Sequence, residues 1–495
     1  MTLSLLRAGP IKKRDVPPLV RALPAVVLLV LAASTVVSAQ AVPEAPSRTV
    51  PETRAADVRA GEPTPAVPPC EGCPKRRPLA AIVEGAAINV IYNLINQALP
   101  TEYSGDFHVS PSSWRSNIGH GFTWDNDPFA INQFGHPYQG GNYFCAGRAN
   151  GLGYWESLPV TVLGSVTWEW FGESVHPAWN DIVNTTMGGA AFGEVLHRMA
   201  WLVRDPRQTG RSRLWREIGA TAIDPVGGLN RFGWREALHP ADKPSTYSPS
   251  RALAEVQVGV SWPAGDLRAD GSPARNMFGS FALDYGALER GPTAAPFDAF
   301  TMAIRVGGGA TVSAASIRGR LSSRPVGALD RAAHQLVLAQ EYGYRQAPGF
   351  LFGEQSVVAG LADRIRLSPG VSLSTTAFGG AVVLGTIDSL SGPPSDRAFD
   401  YGPGVSASGS AELAVRGLPV LGVQAAAWWL HSVTREPADH LLSLVRLRSR
   451  LPIARGVHVL IEAERTTRDS RIAGRSVRRG AYPELRAGLA WRFGR

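Results

Sequence analysis

The chain has 495 residues, a formal net charge of +9 and a mean hydropathy of -0.05. Its arginines are dispersed through the sequence instead of forming one basic patch, which argues against a nucleic-acid partner. After residue 41 we find no continuous apolar run of about twenty residues, so the composition does not indicate a helical membrane protein. A transmembrane β-barrel needs no such run, because only alternate residues of its strands face lipid.

The N-terminus has the layout of a secretory signal. A basic stretch precedes an apolar run at 22–37, and the small residues Ser38, Ala39 and Ala41 follow it. The apolar run is too short to be a comfortable spanning helix. The pattern therefore predicts a cleaved signal peptide at 1–41 and an exported protein.

A linker rich in Pro, Ala, Glu and Arg follows at 42–79 and is predicted to be disordered, because it contains few large apolar residues. Cys70 and Cys73 lie in this linker, and a local disulfide is the simplest expectation for them in an oxidising periplasm. Cys145 stands alone. Zinc would need two further ligands at suitable spacing, so we predict no metal and no cofactor.

Residues 80–250 form the predicted helical domain. Apolar residues recur at helical spacing from Ala80 to Leu99, and Pro100 ends that helix. A candidate first strand lies at 113–124. Three further helices are predicted at Asn142 to Leu158, Pro159 to Glu173 and Asp181 to Val203.

From residue 251 to 495 the period changes to two. The last segment, Tyr482 to Phe493, places Leu485, Leu489, Trp491 and Phe493 on one face. The fold class we predict is mainly β: a transmembrane antiparallel barrel of about 12–14 strands, with the helical domain packed in or against it. An aromatic residue at the end of the last strand resembles the closing strand of outer-membrane barrels. That resemblance implies the barrel-insertion machinery as a partner.

One pair of neighbouring strands carries opposite charges at matching spacing. Arg446, Arg448 and Arg450 share one face, and Glu462 and Glu464 share a face of the next strand. If both faces point inward, these charges meet across the ladder in the lumen.

The helical domain carries a series of short polar motifs. They are His136-Pro137, Glu156-Ser157, Trp168-Glu169-Trp170-Phe171-Gly172-Glu173, Asp181, Thr185 and Gly188-Gly189. The series, followed by a β-rich half, resembles an uncharacterised family of Gram-negative envelope proteins over roughly residues 110 to 235. The resemblance implies location and architecture but no reaction.

Thr185, Gly189 and Gly193 recur every four residues, beside Gly188, and predict a smooth helix face for close packing. Glu194 and Arg198 have the spacing of an ion pair.

Glu169 and Glu173 would repel each other on an isolated helix, so they require a cationic or hydrogen-bonding partner. Arg148, Arg198, Arg216 and Arg231 are the candidates for that partner.

The alternative is a catalytic site, with His136, Glu156, Ser157, Glu169, Glu173 and Asp181 as the candidate residues. Glu156-Ser157 lacks the glycine-flanked elbow of esterases. Residues 135–205 contain no His-x-x-x-His and no carboxylate-x-carboxylate sequence.

Three functions remain open, and the first is the one we favour. It is an outer-membrane barrel with a plug-like helical domain and a structural, channel or lipid-handling role, whose partners are outer-membrane lipids and lipopolysaccharide. The second is a barrel enzyme that hydrolyses or transfers acyl chains of envelope lipids. The third is a soluble periplasmic β-sandwich that binds a ligand. Activity as an enzyme and the oligomeric state stay undetermined by the sequence.

Overall fold

The structure is a computed structural model. It describes residues 74–494 except 100–103, 265–274, 290, 292, 309, 327–331, 348–349, 391–396, 435 and 474. The predicted signal peptide at 1–41 lies outside the described residues. So do Cys70, Cys73 and nearly all of the linker predicted at 42–79, whose last two residues belong to the first helix.

Eight helices are described before the first strand. They are α1 (Pro78–Ala98), α2 (Pro111–His120), α3 (His136–Ala149), α4 (Tyr154–Phe171), α5 (Trp179–Val183), α6 (Gly189–Val203), α7 (Gly210–Ile223) and α8 (Pro225–Gly233). Single π-helical turns at Ile131–Gly135 and Asn184–Gly188 precede α3 and α6.

The strand expected at 113–124 is wrong, because most of that segment is α2. Ser110 caps this helix through a reciprocal pair of hydrogen bonds with Ser113, and that capping box outweighs the weak alternation of the sequence. The expected break at Pro159 is also wrong. The chain turns earlier, at Gly151, whose φ of +74° suits glycine, and Pro159 lies inside α4.

Helix α1 corrects the expectation that no long apolar segment follows the signal. Among the described residues, it is a helix long and apolar enough to cross a membrane by length and composition. Most of its large side chains are exposed, including Leu79, Val83, Val90 and Leu94.

The C-terminal half is a closed antiparallel barrel of twelve strands within the described residues, which confirms the predicted fold class. The strands are β1 (Ala252–Pro263), β2 (Asn276–Tyr285), β3 (Phe300–Gly307), β4 (Ala310–Pro325), β5 (Ala332–Ala347), β6 (Phe350–Ser368), β7 (Val371–Asp388), β8 (Phe399–Val415), β9 (Leu418–His431), β10 (Ala438–Ala454), β11 (Val457–Ile472) and β12 (Arg475–Gly494). Each strand pairs with the next, and β12 closes the ring on β1. A soluble two-layer sandwich is therefore wrong.

Alternate residues of each strand face the lumen and the outside. In β10, Arg446 and Arg448 point inward, whereas Val445 and Leu447 are half exposed on the outer wall. Leu485 and Leu489 continue this outer apolar surface on β12. A closed barrel with such a belt is built for a lipid environment, so the protein is an outer-membrane-type transmembrane barrel.

The lumen is filled by its own side chains. Aromatic and aliphatic residues pack in the half remote from the start of β1 and the end of β12, among them Phe350, Phe352, Trp428, Leu430 and Leu442. An arginine–glutamate network crosses the middle. A cavity of about 340 Å³ lies on the side of Leu253 and Arg492, at the end where β1 begins.

The helical domain packs against the outer wall of the barrel. In β5 the carboxylate of Glu341 faces the lumen, where it contacts Arg318, and so the next residue, Tyr342, faces outward. Tyr342 contacts Phe192 of α6 and donates a hydrogen bond of 2.6 Å to the carbonyl of Gln133. Of the two predicted placements, in or against the barrel, the structure therefore shows the second, and the helical domain does not plug the lumen.

The covered part of the wall is large. It includes Phe281, Leu283, Tyr285, Phe300, Ile317, Tyr342, Tyr344, Phe399 and Tyr401, which share one apolar core with the helices. Tyr285 ends β2 and Phe399 begins β8, and these two strands run in the same direction. The contact therefore extends between the two ends of the barrel.

Candidate functional site

A cluster of carboxylates in the helical domain is the first candidate site. It joins the segment before α3 to the end of α4 and the start of α5, and it comprises Asp125, Asp127, Glu169, Glu173 and Asp181. Glu169 is fully buried, and Asp181 is 2% exposed. Thus three of the sequence-predicted site residues, Glu169, Glu173 and Asp181, are brought together.

Side-chain amides hold the cluster in place. The Nδ2 group of Asn180 donates to Asp125 Oδ1 at 2.7 Å and to Asp181 Oδ1 at 2.8 Å. Asn132 Nδ2 donates to Asp125 Oδ1 at 2.8 Å and to the hydroxyl of Tyr401, on the barrel, at 3.0 Å. The cluster therefore lies where the helical domain meets the rim of the barrel at the start of β8.

His136 also belongs to this site. Its Nε2 lies 3.5 Å from Asp181 Oδ1, and its Nδ1 lies 3.2 Å from Thr185 Oγ1. The π-helical turns before α3 and α6 bring these residues together, and such turns are frequent at functional sites.

Burial sets the protonation of this cluster. It raises the pKa of Glu169 to about 8 and that of Asp127 to about 7, and neighbouring carboxylates add to both shifts. Burial also raises the pKa of Glu173 and Asp181 well above the ordinary range. The pKa of His136 falls to about 4, because burial disfavours its charged form. At neutral pH the protonated form of Glu169, Glu173 and Asp181 thus predominates beside a neutral imidazole.

One oxygen of the cluster is free within the described structure. Glu169 Oε2 accepts a hydrogen bond of 2.8 Å from the backbone N–H of Ala178, but the buried Oε1 has no hydrogen-bond partner there. A protonated carboxyl group in this setting can donate a proton. Among the described residues, no group of three or more His, Cys, Asp or Glu side chains could hold a metal ion.

Glu156 and Ser157 lie elsewhere. Glu156 is at the start of α4, where its carboxylate accepts from the N–H of Gly153 at 2.7 Å and contacts Arg76 at 2.9 Å. Ser157 is buried and donates to the carbonyl of Gly153 at 2.8 Å. Both side chains serve the local structure of the helix, and the structure does not bring Ser157 to His136 as a nucleophile.

The arginines considered as partners of Glu169 and Glu173 have other contacts. Arg148 and Arg198 both contact Glu194, at 2.8 Å and 2.7 Å. Arg198 also donates to the carbonyl of Pro296, in the loop between β2 and β3, at 2.9 Å. Arg231 contacts Glu217, and Arg216 donates to the carbonyl of Val203. The pair of Glu194 and Arg198 thus ties α6 to the barrel, whereas the acid cluster is stabilised by amides.

The small residues of α6 lie at a close helix crossing. A Cβ atom at Gly189 would lie 2.5 Å from the carbonyl carbon of Gly140, and one at Gly193 would lie 2.7 Å from Phe144 Cβ. Gly188 faces Pro137 in the same way, and Thr185 contacts His136. Helices α3 and α6 can approach this closely only because Gly189 and Gly193 lack side chains.

The charged ladder forms the second candidate site, in the lumen. Arg446 contacts Glu464 at 2.6 Å and Arg448 contacts Glu462 at 2.6 Å, whereas Arg450 pairs with Glu255 of β1 at 3.0 Å. Further arginines converge on the two glutamates from other strands: Arg305, Arg345 and Arg486. The network therefore spans the lumen instead of joining two strands alone.

Sequence reasoning missed Asp125, Asp127, Asn132 and Asn180 as members of the acid cluster. Asp125-Asn126-Asp127 is a carboxylate-x-carboxylate sequence, and it lies just before residues 135–205. The two asparagines carry no comparable signal, because their role depends on how the helices pack.

Comparison with known proteins identifies the helical region. Residues 121–226 match the family model described as Domain of unknown function (DUF3943), which confirms the resemblance to an uncharacterised family. No curated protein matches the chain.

The solved structures that resemble this chain cover about half of it. The NanC porin is 8% identical, with 48% of this chain and 98% of that chain covered and a TM-score of 0.25. The KdgM porin in complex with disordered oligogalacturonate is 7% identical, with 48% and 99% covered and a TM-score of 0.22. OpdL of Pseudomonas aeruginosa is 9% identical, with 49% and 98% covered and a TM-score of 0.17. Similarity this low says nothing about activity. Residues 121–226 thus match a domain of unknown function (DUF3943), and the helical region that contains them is held on the outer wall of a C-terminal twelve-strand barrel of the outer-membrane type.

Proposed function

We propose that this is an exported outer-membrane protein that handles envelope lipids through its helical domain, with the barrel as a closed scaffold. One observation carries the proposal: the helical domain is seated on the wall of the barrel that otherwise faces lipid. A domain in that place meets acyl chains before it meets any solute in the lumen.

The state of the lumen supports a scaffold more than a channel. Glu462 and Glu464 contact arginines from β3, β5, β10 and β12, and the aromatic layer of Phe352 and Trp428 lies beyond them. Solutes would have to break several ion pairs in a confined space to pass.

Residues 1–41 and the last strand, β12, bear on how the protein reaches the outer membrane. We propose that residues 1–41 are removed during export and that the last strand, β12, engages the barrel-insertion machinery. Outer-membrane lipids, including lipopolysaccharide, are then the surroundings of the finished protein.

Two measurements on the full chain test this proposal. In planar bilayers the purified protein should show no stepwise ion current. When it is extracted from outer membranes in mild detergent, mass spectrometry should find lipid bound to it. A steady ion current together with lipid-free protein would favour a channel and would overturn the proposal.

A second candidate is an acid–base enzyme acting on lipid, and the neutral, half-unpartnered carboxyl group of Glu169 favours it. A deletion strain complemented with wild-type protein or with Glu169→Gln distinguishes the two. An enzyme predicts the same altered lipid profile in the deletion strain and in the Glu169→Gln strain. Lipid handling without catalysis predicts that Glu169→Gln restores the wild-type profile.

A further inference from the structure

An apolar groove runs along the helical domain between α1 and α4. Its volume is about 450 Å³, within the ~300–1,000 Å³ range of small-molecule sites. The residues that form its walls include Ile82, Ala86, Val90, Leu94, Leu163 and Phe171. Except for the small Ala86, these are large apolar side chains that are well exposed.

The polar side chains in the groove are already engaged. Asn89 Nδ2 donates to the carbonyl of Gly164 at 3.1 Å and to Thr167 Oγ1 at 2.9 Å. Asn93 Nδ2 donates to the carbonyls of Phe107 and Gly172, at 2.8 Å each. These amides hold α1 onto α4, and the groove therefore presents mainly carbon to an occupant.

The surroundings of the groove are also apolar. Helix α1 is 21 residues long, which gives a length of about 31 Å, close to the ~30 Å thickness of the hydrocarbon core. Beside the groove, Leu79, Val83 and Ile91 of α1 are exposed. The domain itself is seated on the lipid-facing wall between the two ends of the barrel. The groove is thus flanked by an exposed apolar surface of α1.

We propose that this groove binds one acyl chain of a membrane phospholipid. This inference rests on the proposed function and names its substrate class. The groove has room for one chain, and a phospholipid can place one chain there while its other chain stays in the bilayer. Lipopolysaccharide carries more chains on one headgroup and would crowd them beside α1.

The test uses full-length protein in phospholipid nanodiscs that contain a phospholipid with a photoreactive diazirine in its acyl chain. After irradiation, peptide mass spectrometry locates the adducts. In the wild type, adducts are expected at Leu163 and Phe171 inside the groove, and at Val83 on the outer side of α1.

Two substitutions on α1 form a matched pair. Ala86→Phe places a ring in the groove from an exposed position, whereas Val83→Phe adds similar bulk at a residue that does not line the groove. Ala86→Phe should lower the adducts at Leu163 by about tenfold, which corresponds to ~1.4 kcal/mol of lost binding. Val83→Phe should leave them unchanged. The adducts at Val83 in the Ala86→Phe variant report that the helix still forms and still faces lipid.

Other results have distinct meanings. Labelling at Val83 without labelling at Leu163 would overturn the chain site but leave the proposed function standing. Labelling at neither position would overturn both. Loss of the label at Leu163 when lipopolysaccharide is added would identify another occupant and would overturn the inference.

Discussion

Arg345 and Glu464 form an ion pair across the lumen, although their strands, β5 and β11, are half the ring apart. Arg446 and Arg486 contact the same carboxylate from β10 and β12. Glu464 is thus the point at which opposite walls of the barrel are joined.

Replacement of this carboxylate should open and weaken the barrel. Glu464→Ala removes a buried carboxylate that Arg345, Arg446 and Arg486 share, and loss of one partner of a buried ion pair typically costs about 3–5 kcal/mol. We expect an ion current in planar bilayers. On gels of samples incubated at increasing temperature, we also expect the compact form to disappear at a lower temperature than in the wild type. Glu412→Gln is the control, because Glu412 is 41% exposed and contacts Arg450 only at 3.6 Å. If the Glu464→Ala protein conducts no ions and is as stable as the wild type, the network does not close the lumen.

The acid cluster should make the helical domain sensitive to alkaline pH. The pKa of Glu169 is raised to about 8 in the folded state, so its contribution to stability is complete below the unfolded pKa of 4.5 and is lost as pH rises towards 8. In that window one such group costs ~1.4 kcal/mol per pH unit. Hydrogen exchange of residues 121–183 should therefore accelerate between pH 6 and about pH 8.

Glu169→Gln is the matched variant for this measurement, because an amide of similar shape does not ionise. Its exchange rates, corrected for the intrinsic effect of pH, should vary less than those of the wild type. Equal pH dependence in both proteins would mean that other groups control the opening of the domain.

The crossing of α3 and α6 should not tolerate a methyl group. In Gly189→Ala the new Cβ would meet backbone atoms of Gly140, so the helices must separate, at a cost of about 1–3 kcal/mol. Gly233→Ala is the control, because its Cβ would meet no atom within 4 Å and α8 ends there. Thermal unfolding should distinguish the two variants. An unchanged unfolding temperature for Gly189→Ala would show that the two helices can accommodate the methyl group without loss of stability.

The hydroxyl of Tyr342 should contribute measurably to the docking of the helical domain. Tyr342→Phe leaves the carbonyl of Gln133 without its donor, a loss of about 1–3 kcal/mol for a buried group. Tyr344→Phe is the matched control on the same strand and face, because its hydroxyl bonds Gln346 of the barrel instead. Limited proteolysis should cut the helical domain of Tyr342→Phe faster, and equal rates for the two variants would contradict this docking contact.

The alternation of inward and outward residues in the sequences of β10 and β11 was enough to predict that opposite charges meet in the lumen. Residues two apart share a face of a strand, so a sequence that places Arg446 and Arg448 opposite Glu464 and Glu462 predicts their register as well as their pairing. The closed ring follows from many such strands and from an apolar outer face. The helices were located with less accuracy, because the capping of α2 and the turn at Gly151 depend on single residues.

The sequence by itself therefore determined a helical region followed by a barrel, since period and composition are local properties. Only the tertiary structure decided which side of the barrel carries the helices. Phe281 and Leu283 are apolar whether they contact acyl chains or a packed helix. The sequence pattern of the outer wall is therefore the same in both cases. The acid cluster, too, exists only after folding, because Asp125, Glu169 and Asp181 come from three separate segments that the π-helical turns and the rim of the barrel bring together.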